Sequence, residues 1–254
     1  MTIDSRQRTV KTEIAQLQAE LNGLLVAEKT RKRGAILREL HQLRRATDPT
    51  YHYMSQAGQD WVIDRLLDHK TGGTFVDVGG YDGVTGSNSL FFEQIRGWTG
   101  VLVEPVASQI AKARIARKCP CVEMAVAPTD GTASFIAVTR GFTQMSGLAD
   151  LYDEDLLQTV RDDPRHAEEL VTVETRTLSR ILTESDIPHP DFISLDIEGG
   201  EVAVLKAFPF DHHRVVFWSI ENNSKTTEIA DIMRANGYDL IEFAGPDELY
   251  RRRS

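Results

Sequence analysis

The sequence is poor in cysteine, with two in 254 residues, and these are Cys119 and Cys121. Only Pro120 separates them, so they suit neither an ordinary disulfide nor a CxxC motif, and we expect free thiols in a reducing compartment. Long hydrophobic runs are also missing, since no segment approaches the roughly 20 apolar residues that a membrane span requires. The first residues lack the apolar core of a signal peptide. The sequence therefore predicts a cytoplasmic protein with no transmembrane segment.

Positive charge is scarce after the first fifty residues. Residues 1–50 contain ten Lys and Arg against six Asp and Glu, whereas the rest contains 19 against 32, and the overall net charge is −9. This acidic remainder argues against a nucleic-acid substrate, because phosphate binding requires a basic face. The basic cluster of Lys29, Arg31, Lys32 and Arg33 is typical of a solvated helix face. Peripheral contact with an anionic membrane surface or an acidic partner is the alternative.

Two regions differ in their pattern: an N-terminal helical arm, residues 1–50, and a catalytic domain, residues 51–254. Residues 9–46 of the arm are predicted as one helix, because apolar residues recur at heptad spacing at Ile14, Leu17, Leu21 and Leu24. This stripe must be buried against something. A short coiled coil that assembles a homo-oligomer is favoured, and packing on the catalytic domain is the alternative.

Short apolar segments alternate with helical segments after residue 51. The segments FVDV, VLVE and FISLDI are hydrophobic on both faces, which is typical of parallel strands covered by helices. We therefore predict an α/β, Rossmann-like fold with a doubly wound, mostly parallel seven-stranded sheet that ends in a hairpin. Residues 139–170 interrupt the alternation and are predicted to form a lid, with a surface elaboration as the alternative. This insertion is expected to shape a substrate pocket with Arg140, Gln144, Ser146 and Asp150.

A glycine-rich turn follows the first predicted strand, in the segment FVDVGGYDG at residues 75–83. Ligands of doubly wound sheets lie outside the carboxyl ends of the strands, and glycines there allow close approach to the backbone. The segment matches neither the G-x-G-x-x-G fingerprint nor a P-loop. A carboxylate at Asp77 would repel a pyrophosphate, and Glu104 ends the next strand, where an acid accepts ribose hydroxyls. Together they favour a cationic adenosyl ligand, S-adenosylmethionine.

Acidic and amide side chains end the fourth and fifth parallel strands. Asp196 ends one, Glu198 follows two residues later, and Glu221 and Asn222 end the next. Since adjacent parallel strands bring their carboxyl ends together, Asp196, Glu221 and Asn222 are expected to converge near the reacting group. Their oxygens are hard ligands suited to Mg²⁺, whereas the alternative is a general base without a metal. Glu201 is expected in the first turn of the following helix.

The chain resembles the FkbM family of S-adenosylmethionine-dependent O-methyltransferases in five separated blocks, over about residues 53–245: SQAGQDWVIDRLL, FVDVGGYDGVTGSNSLFFE, GWTGVLVEP, DFISLDIEGGEVAVLKAFPF and SIENN. The resemblance implies a class I methyltransferase acting on a hydroxyl of a sugar, within a polysaccharide, a glycolipid or a glycosylated natural product. It also implies that Asp77, Gly79 and Glu104 contact the cofactor.

The predicted site joins these observations. The cofactor would be bound by Gln56, Asp77, Gly79, Gly80, Tyr81, Asp82, Gly83, Asn88, Glu104 and Pro105. Catalysis is assigned to Asp196, Glu198 and Glu221, and a metal would bind Asp196, Glu221 and Asn222. His189, His212 and His213 precede strands and lie on the wrong side, whereas His52 and His166 could reach the pocket.

Two other functions stay open at this point. An NAD-dependent oxidoreductase would also carry a strand-end acid such as Glu104. A non-catalytic scaffold would use the arm to assemble subunits around a degenerate cofactor fold.

Overall fold

The computed structural model describes residues 3–253. Its helices are α1 Ile3–Ala27, α2 Lys32–Thr47, α3 Gln59–Leu66, α4 Leu90–Arg96, α5 Ala107–Ala116, α6 Glu154–Arg161, α7 Leu178–Glu184, α8 Glu201–Ala207 and α9 Glu228–Ala235. Its strands are β1 Thr74–Val78, β2 Thr99–Val103, β3 Cys121–Val122, β4 Ala125–Val126, β5 Gly131–Arg140, β6 Gly147–Leu148, β7 Ala167–Arg176, β8 Phe192–Leu195, β9 Phe217–Glu221, β10 Tyr238–Ala244 and β11 Asp247–Arg252.

The main sheet has seven strands in the order β10-β11-β9-β8-β1-β2-β3. Strands β3, β2, β1, β8 and β9 are parallel, and β11 is antiparallel to both of its neighbours, β9 and β10. Because the strand order reverses beside β1, the carboxyl ends of β1 and β8 form the crevice where doubly wound folds bind ligands. The predicted doubly wound, mostly parallel α/β fold is confirmed, including its closing hairpin.

Helices cover both faces of this sheet. Successive residues of a strand point to opposite faces, so Phe75 and Val76 are both fully buried, each in a different hydrophobic cluster. One cluster packs under α7, α8 and α9, and the other packs under α2, α3, α4 and α5. Burial on both faces explains why these strands are continuously apolar in the sequence.

A second, four-stranded sheet, in the order β4-β7-β5-β6, was not predicted. Its two long strands, β5 and β7, pair antiparallel, and the segment 141–166 between them holds β6 and α6. The predicted insertion at 139–170 therefore begins and ends inside strands. Only the middle of β5 is buried, so its apolar pattern is too short to distinguish it from a loop.

The arm is not the single helix predicted for residues 9–46. The Glu28 carboxylate accepts hydrogen bonds from the backbone N–H groups of Lys29 and Thr30 at 2.9 and 2.8 Å, which ends α1 and begins a turn. The two helices then lie side by side, with Gln18 Nε2 3.5 Å from Thr47 Oγ1. Within the stripe, Ile14 and Leu21 are half-buried.

Helix α2 packs on the catalytic domain, which was the alternative for the arm. Leu37 and Leu40 are 1% and 0% exposed, and a Cβ at Gly34 would lie 2.2 Å from the carbonyl oxygen of Gly245. In α1, by contrast, Leu17 and Leu24 are 46% and 55% exposed. The coiled coil between subunits remains a prediction for α1 alone.

The basic cluster is not simply a solvated helix face. Arg31 forms an ion pair with Glu248, and Arg33 forms one with Glu242 at 2.5 Å. Two of the four positive charges are therefore used within the molecule. Within residues 3–253, no helix combines the length and the apolar character needed to cross a membrane.

The packing of α2 predicts unequal effects of two leucine truncations. Leu40→Ala removes a fully buried side chain and should lower the free energy of unfolding by about 2–5 kcal/mol. Leu24→Ala, at an exposed position of α1, should change it by less than about 0.5 kcal/mol. Urea denaturation of both variants measures the difference, and equal effects would contradict the docking of α2.

Candidate active site

A pocket of about 1090 Å³, counting its open mouth, lies at the carboxyl ends of β1, β2, β8 and β9. Segment 143–146 and Leu148 of the insertion form one wall. Most of the predicted site residues line this pocket, namely Gln56, Asp77, Gly79, Gly80, Tyr81, Asn88, Glu104, Pro105, Asp196, Glu198 and Glu221. The structure therefore brings the predicted cofactor and catalytic residues into one cavity.

The turn after β1 requires its glycines. Gly79 has φ +77°, and a Cβ there would lie 1.7 Å from the carbonyl oxygen of Asp196. A Cβ at Gly80 would lie 2.4 Å from the Leu102 side chain. Any larger residue would separate β1 from β8 or displace β2, so these glycines hold the floor of the pocket together.

Glu104 directly follows β2 and lines the pocket beside the glycine turn. Its Oε2 accepts the N–H of Tyr81 at 3.0 Å, and its Oε1 accepts the N–H of Val106 at 2.8 Å. Burial raises the pKa of Glu104 to about 7, because desolvation disfavours its charge more than these two bonds favour it. Each oxygen retains capacity to accept a further hydrogen bond from a ligand hydroxyl.

Two serine hydroxyls and a buried arginine hold the Asp77 carboxylate in place. Its carboxylate accepts hydrogen bonds from Ser87 Oγ at 3.2 Å and Ser89 Oγ at 2.5 Å. The fully buried guanidinium of Arg117 lies 3.7 Å away and also pairs with Glu93 at 3.0 Å. Arg117 offsets part of the Asp77 charge, which weakens the attraction for a cation inferred from the sequence. No motif signals Arg117, which follows α5.

Asn88 presents an unpaired acceptor. Its Nδ2 donates to Ser194 Oγ at 3.0 Å and to Asp247 Oδ2 at 3.4 Å. Its Oδ1 is buried and has no hydrogen-bond partner among the described residues. A buried acceptor without a donor is costly, so this atom indicates a ligand that brings an N–H or O–H group.

Three carboxylates, from Asp196, Glu198 and Glu221, form what we call the acid cluster. Their oxygens lie within 4.8 Å of one another. Burial raises the pKa of Asp196 to about 8, assisted by the nearby charge of Asp247. Burial and the charge of Asp196 likewise raise the pKa values of Glu198 and Glu221. Such a group either shares protons or holds a cation.

The turn after β8 places Glu198 in this cluster. Glu201, in the first turn of α8 as expected, accepts the N–H groups of Ile197 and Gly199 at 2.9 and 3.0 Å. This folds the backbone so that Glu198 adopts a left-handed φ of +57°. Asn223 Nδ2 then donates to Glu198 Oε2 at 3.2 Å.

Three predicted site residues are placed elsewhere by the structure. Asn222 does not line the pocket, since both ends of its amide bond the backbone of Thr226, whereas the Glu198 carboxylate lies beside those of Asp196 and Glu221. The Asp82 carboxylate accepts the N–H groups of Val84 and Thr85, which ends the turn. Gly83 packs under the turn against Ala113 and Arg117.

Some residues that line the pocket were not predicted from the sequence, and others were predicted only in part. Met124, Ala125 and Val126 form an apolar wall after β3, and the end of the third strand was the signal that could have indicated them. In the insertion, Gln144 and Ser146 line the pocket, but Arg140 and Asp150 do not. Within residues 3–253, no histidine lines it.

The insertion contacts the glycine turn directly. Tyr81, whose φ is +49°, places its hydroxyl 2.7 Å from Thr143 Oγ1. This bond joins the two sides of the pocket mouth, as the predicted lid requires, although the closing motion itself stays a prediction.

The doubly wound α/β sheet places its glycine-turned pocket at the switch point, where proteins of this fold class bind small ligands. A sequence profile described as the methyltransferase FkbM domain matches residues 77–240. The chain therefore belongs to the FkbM methyltransferase family. No curated protein matches it.

The chain is also similar to solved structures at low sequence identity. Methyltransferase FkbM from Methylobacillus flagellatus KT is 14% identical, with TM-score 0.47, and the match covers 94% of this chain and 60% of that one. The chain thus spans about 60% of that protein's length. Precorrin-6y C5,15-methyltransferase from Geobacter metallireducens GS-15 is 12% identical, with coverage of 77% and 87% and TM-score 0.43. The N-terminal domain of human METTL16 in complex with SAH is 13% identical, with coverage of 88% and 84% and TM-score 0.44.

The raised pKa of Asp196 predicts how stability depends on pH. The folded state binds its proton up to pH about 8, whereas the unfolded state releases it near pH 4, so stability should fall as pH rises between these values. Asp196→Asn removes this pH-dependent contribution to the free energy of unfolding. In EDTA, thermal unfolding should show the variant to be more stable than the wild type by at least about 1 kcal/mol at pH 8, with little difference at pH 4. A difference that does not grow with pH would contradict the assignment.

Proposed function

We propose that this protein transfers a methyl group from S-adenosylmethionine to a hydroxyl of a sugar, in a polysaccharide, a glycolipid or a glycosylated natural product. Membership of a methyltransferase family supplies the reaction class. The observation that carries the proposal is that the acid cluster and the glycine turn with Glu104 share one pocket. The sugar acceptor rests on the family resemblance.

The pocket residues fit S-adenosylmethionine. Glu104 would accept the ribose hydroxyls, and the unpaired Oδ1 of Asn88, with Asp77, would accept the ammonium group. The apolar wall of Met124, Ala125 and Val126 suits a flat base. When bound, the cofactor supplies an electrophilic methyl group on a positively charged sulfur, which the negative pocket favours.

The acid cluster would prepare the acceptor. A sugar hydroxyl is a weak nucleophile until its proton is removed or its oxygen is polarised. A deprotonated carboxylate with a raised pKa is a stronger base than an ordinary one, so Asp196 suits the first role. Its position at the end of β8, beside the glycine turn, suits transfer between neighbouring groups.

A divalent cation is the second means of activating the hydroxyl. Three carboxylate oxygens within 4.8 Å of one another are hard ligands that suit Mg²⁺. The Mg²⁺ and chelator arms of the assay below distinguish these two roles of the cluster.

Two rival functions have weaker support. An NAD-dependent oxidoreductase would use Glu104 in the same way, but the turn lacks the dinucleotide fingerprint. A scaffold without activity would not need a buried cluster of three acids, which is costly to maintain.

The cofactor proposal predicts selective binding that depends on Glu104. Calorimetry should detect S-adenosylhomocysteine and S-adenosylmethionine but not NAD⁺. Glu104→Gln should weaken S-adenosylhomocysteine binding by about 10- to 100-fold, because it removes charge from two hydrogen bonds to the ribose. Glu123→Gln, at an exposed acid just after β3, is the control and should bind like the wild type. Tight binding of NAD⁺ alone would exclude the proposal.

The catalytic proposal predicts that Asp196→Asn separates binding from turnover. A screen with methyl-labelled S-adenosylmethionine, nucleotide sugars and oligosaccharides, with Mg²⁺ or with EDTA, should identify a methylated sugar. Asp196→Asn should retain cofactor binding and lose about 10²- to 10⁴-fold in rate. Asp191→Asn, at the opposite end of β8, is the matched control. Full activity in Asp196→Asn would contradict its role, and inhibition by EDTA would assign the cluster to a cation.

A further inference from the structure

The N-terminal arm reaches the end of β9 through Arg31. This arginine forms an ion pair with the Glu248 carboxylate, whose side chain is only 3% exposed. Its Nη1 also lies 3.4 Å from the carbonyl oxygens of Asn222 and Pro246. Asn222 in turn donates from Nδ2 to the same Oε1 of Glu248 at 2.9 Å. Arg31 therefore holds Asn222 both directly and through Glu248.

Asn222 organises the loop that follows β9, residues 222–226. Its Oδ1 accepts the N–H of Thr226 at 3.0 Å, its Nδ2 donates to the Thr226 carbonyl at 2.8 Å, and its own carbonyl accepts the N–H of Lys225 at 3.2 Å. These bonds close the loop on a single residue, Asn222. Lys225, with φ +55°, is held in a left-handed conformation inside it. The shape of the loop therefore depends on where Asn222 is fixed.

Two members of the acid cluster depend on this loop. Glu221 immediately precedes Asn222, and Asn223 donates to Glu198 at 3.2 Å. Arg31 is thus linked through Glu248 and Asn222 to the neighbouring Asn223, whose side chain contacts the Glu198 carboxylate, while Glu221 is linked to Asn222 through the backbone. Arg31 itself lines no part of the pocket.

We propose that Arg31 is a positioning residue for the acid cluster, so that the docked arm sets the geometry of the acceptor site. The inference rests on the proposed function in one respect, because it takes the acid cluster to be the site that binds the acceptor. Helix α2 itself lines no part of the pocket: Leu37 packs in the hydrophobic core, Gly34 packs against Gly245 after β10, and His41 Nε2 lies 2.8 Å from the Ser55 carbonyl oxygen.

Arg33, in the first turn of α2, provides a matched control for Arg31, which immediately precedes that helix. Its side chain is 19% exposed against 27% for Arg31, and it forms a comparable ion pair with Glu242 on β10. Its remaining hydrogen bonds go to the carbonyls of Leu25 and Glu28, within the arm. Removing Arg33 loosens the arm without touching the loop after β9.

The test is hydrogen exchange followed by mass spectrometry on the full-length protein with S-adenosylhomocysteine. In Arg31→Met, a peptide containing the Lys225 and Thr226 amides should exchange about tenfold faster or more, because their acceptor Asn222 loses a charged anchor. Arg33→Met should leave this peptide within about twofold of the wild type while the arm itself exchanges faster. Arg31→Lys, which restores the ion pair, should recover part of the protection and remains available if Arg31→Met does not fold.

Calorimetry on the same samples separates this inference from the proposed function. S-Adenosylhomocysteine affinity should be unchanged in Arg31→Met and Arg31→Lys, because residue 31 contacts neither Glu104 nor Asn88. Wild-type protein that fails to bind S-adenosylhomocysteine would overturn the proposed function instead. Normal binding with unchanged loop exchange in Arg31→Met, or equal loop exchange in the Arg31 and Arg33 variants, would overturn the positioning role.

Discussion

The structure depends on the confinement of several carboxylates at one edge of a buried sheet. Asp77, Glu104, Glu198, Glu221 and Asp247 are all less than 10% exposed, and Asp196 lies among them. Arg117 compensates only the Asp77 end, and no lysine or arginine within residues 3–253 forms an ion pair with the acid cluster. Burying such charge costs free energy that the core must offset. The raised pKa values of Glu104 and the acid cluster reduce this charge, and a ligand that brings positive charge or hydrogen-bond donors would offset the remaining cost.

The parallel sheet explains why these groups meet. Its strands β2, β1, β8 and β9 run side by side in one direction, so that Glu104, Gly79, Asp196 and Glu221 all lie at their carboxyl ends. The missing side chain of Gly79 lets the turn after β1 contact the backbone of Asp196. The residues that we propose for the cofactor and the acceptor are thus fixed by one hydrogen-bonded sheet, and rigid placement of this kind reduces the reorganisation that a reaction requires.

Sequence patterns identified the strand ends but not the directions of individual side chains. The buried strands, the glycine turn and Glu104 were predictable because each follows from local pattern and topology. Asn222 was misplaced because adjacent residues of an extended strand point to opposite faces, so Glu221 and Asn222 do not share a site. Asp196 and Glu198 are two residues apart and do meet. Arg117 could not be predicted from the sequence, because any element that tertiary packing brings close to Asp77 can supply a buried cation. The second sheet was missed because its long strands are half exposed, so their apolar pattern is short.

Three supports hold the acid cluster, and they come from distant parts of the chain. Glu201 shapes the turn that carries Glu198, Asn223 bonds Glu198 directly, and Arg31 fixes the loop that contains Asn223. The family profile matches residues 77–240, so Arg31 and Glu248 both lie outside it while their contacts reach inside it. Methyl transfer is sensitive to small displacements of the reacting groups. Residues beyond the family's core can therefore adjust the acceptor end of the pocket while the cofactor end, built on β1 and β2, stays unchanged.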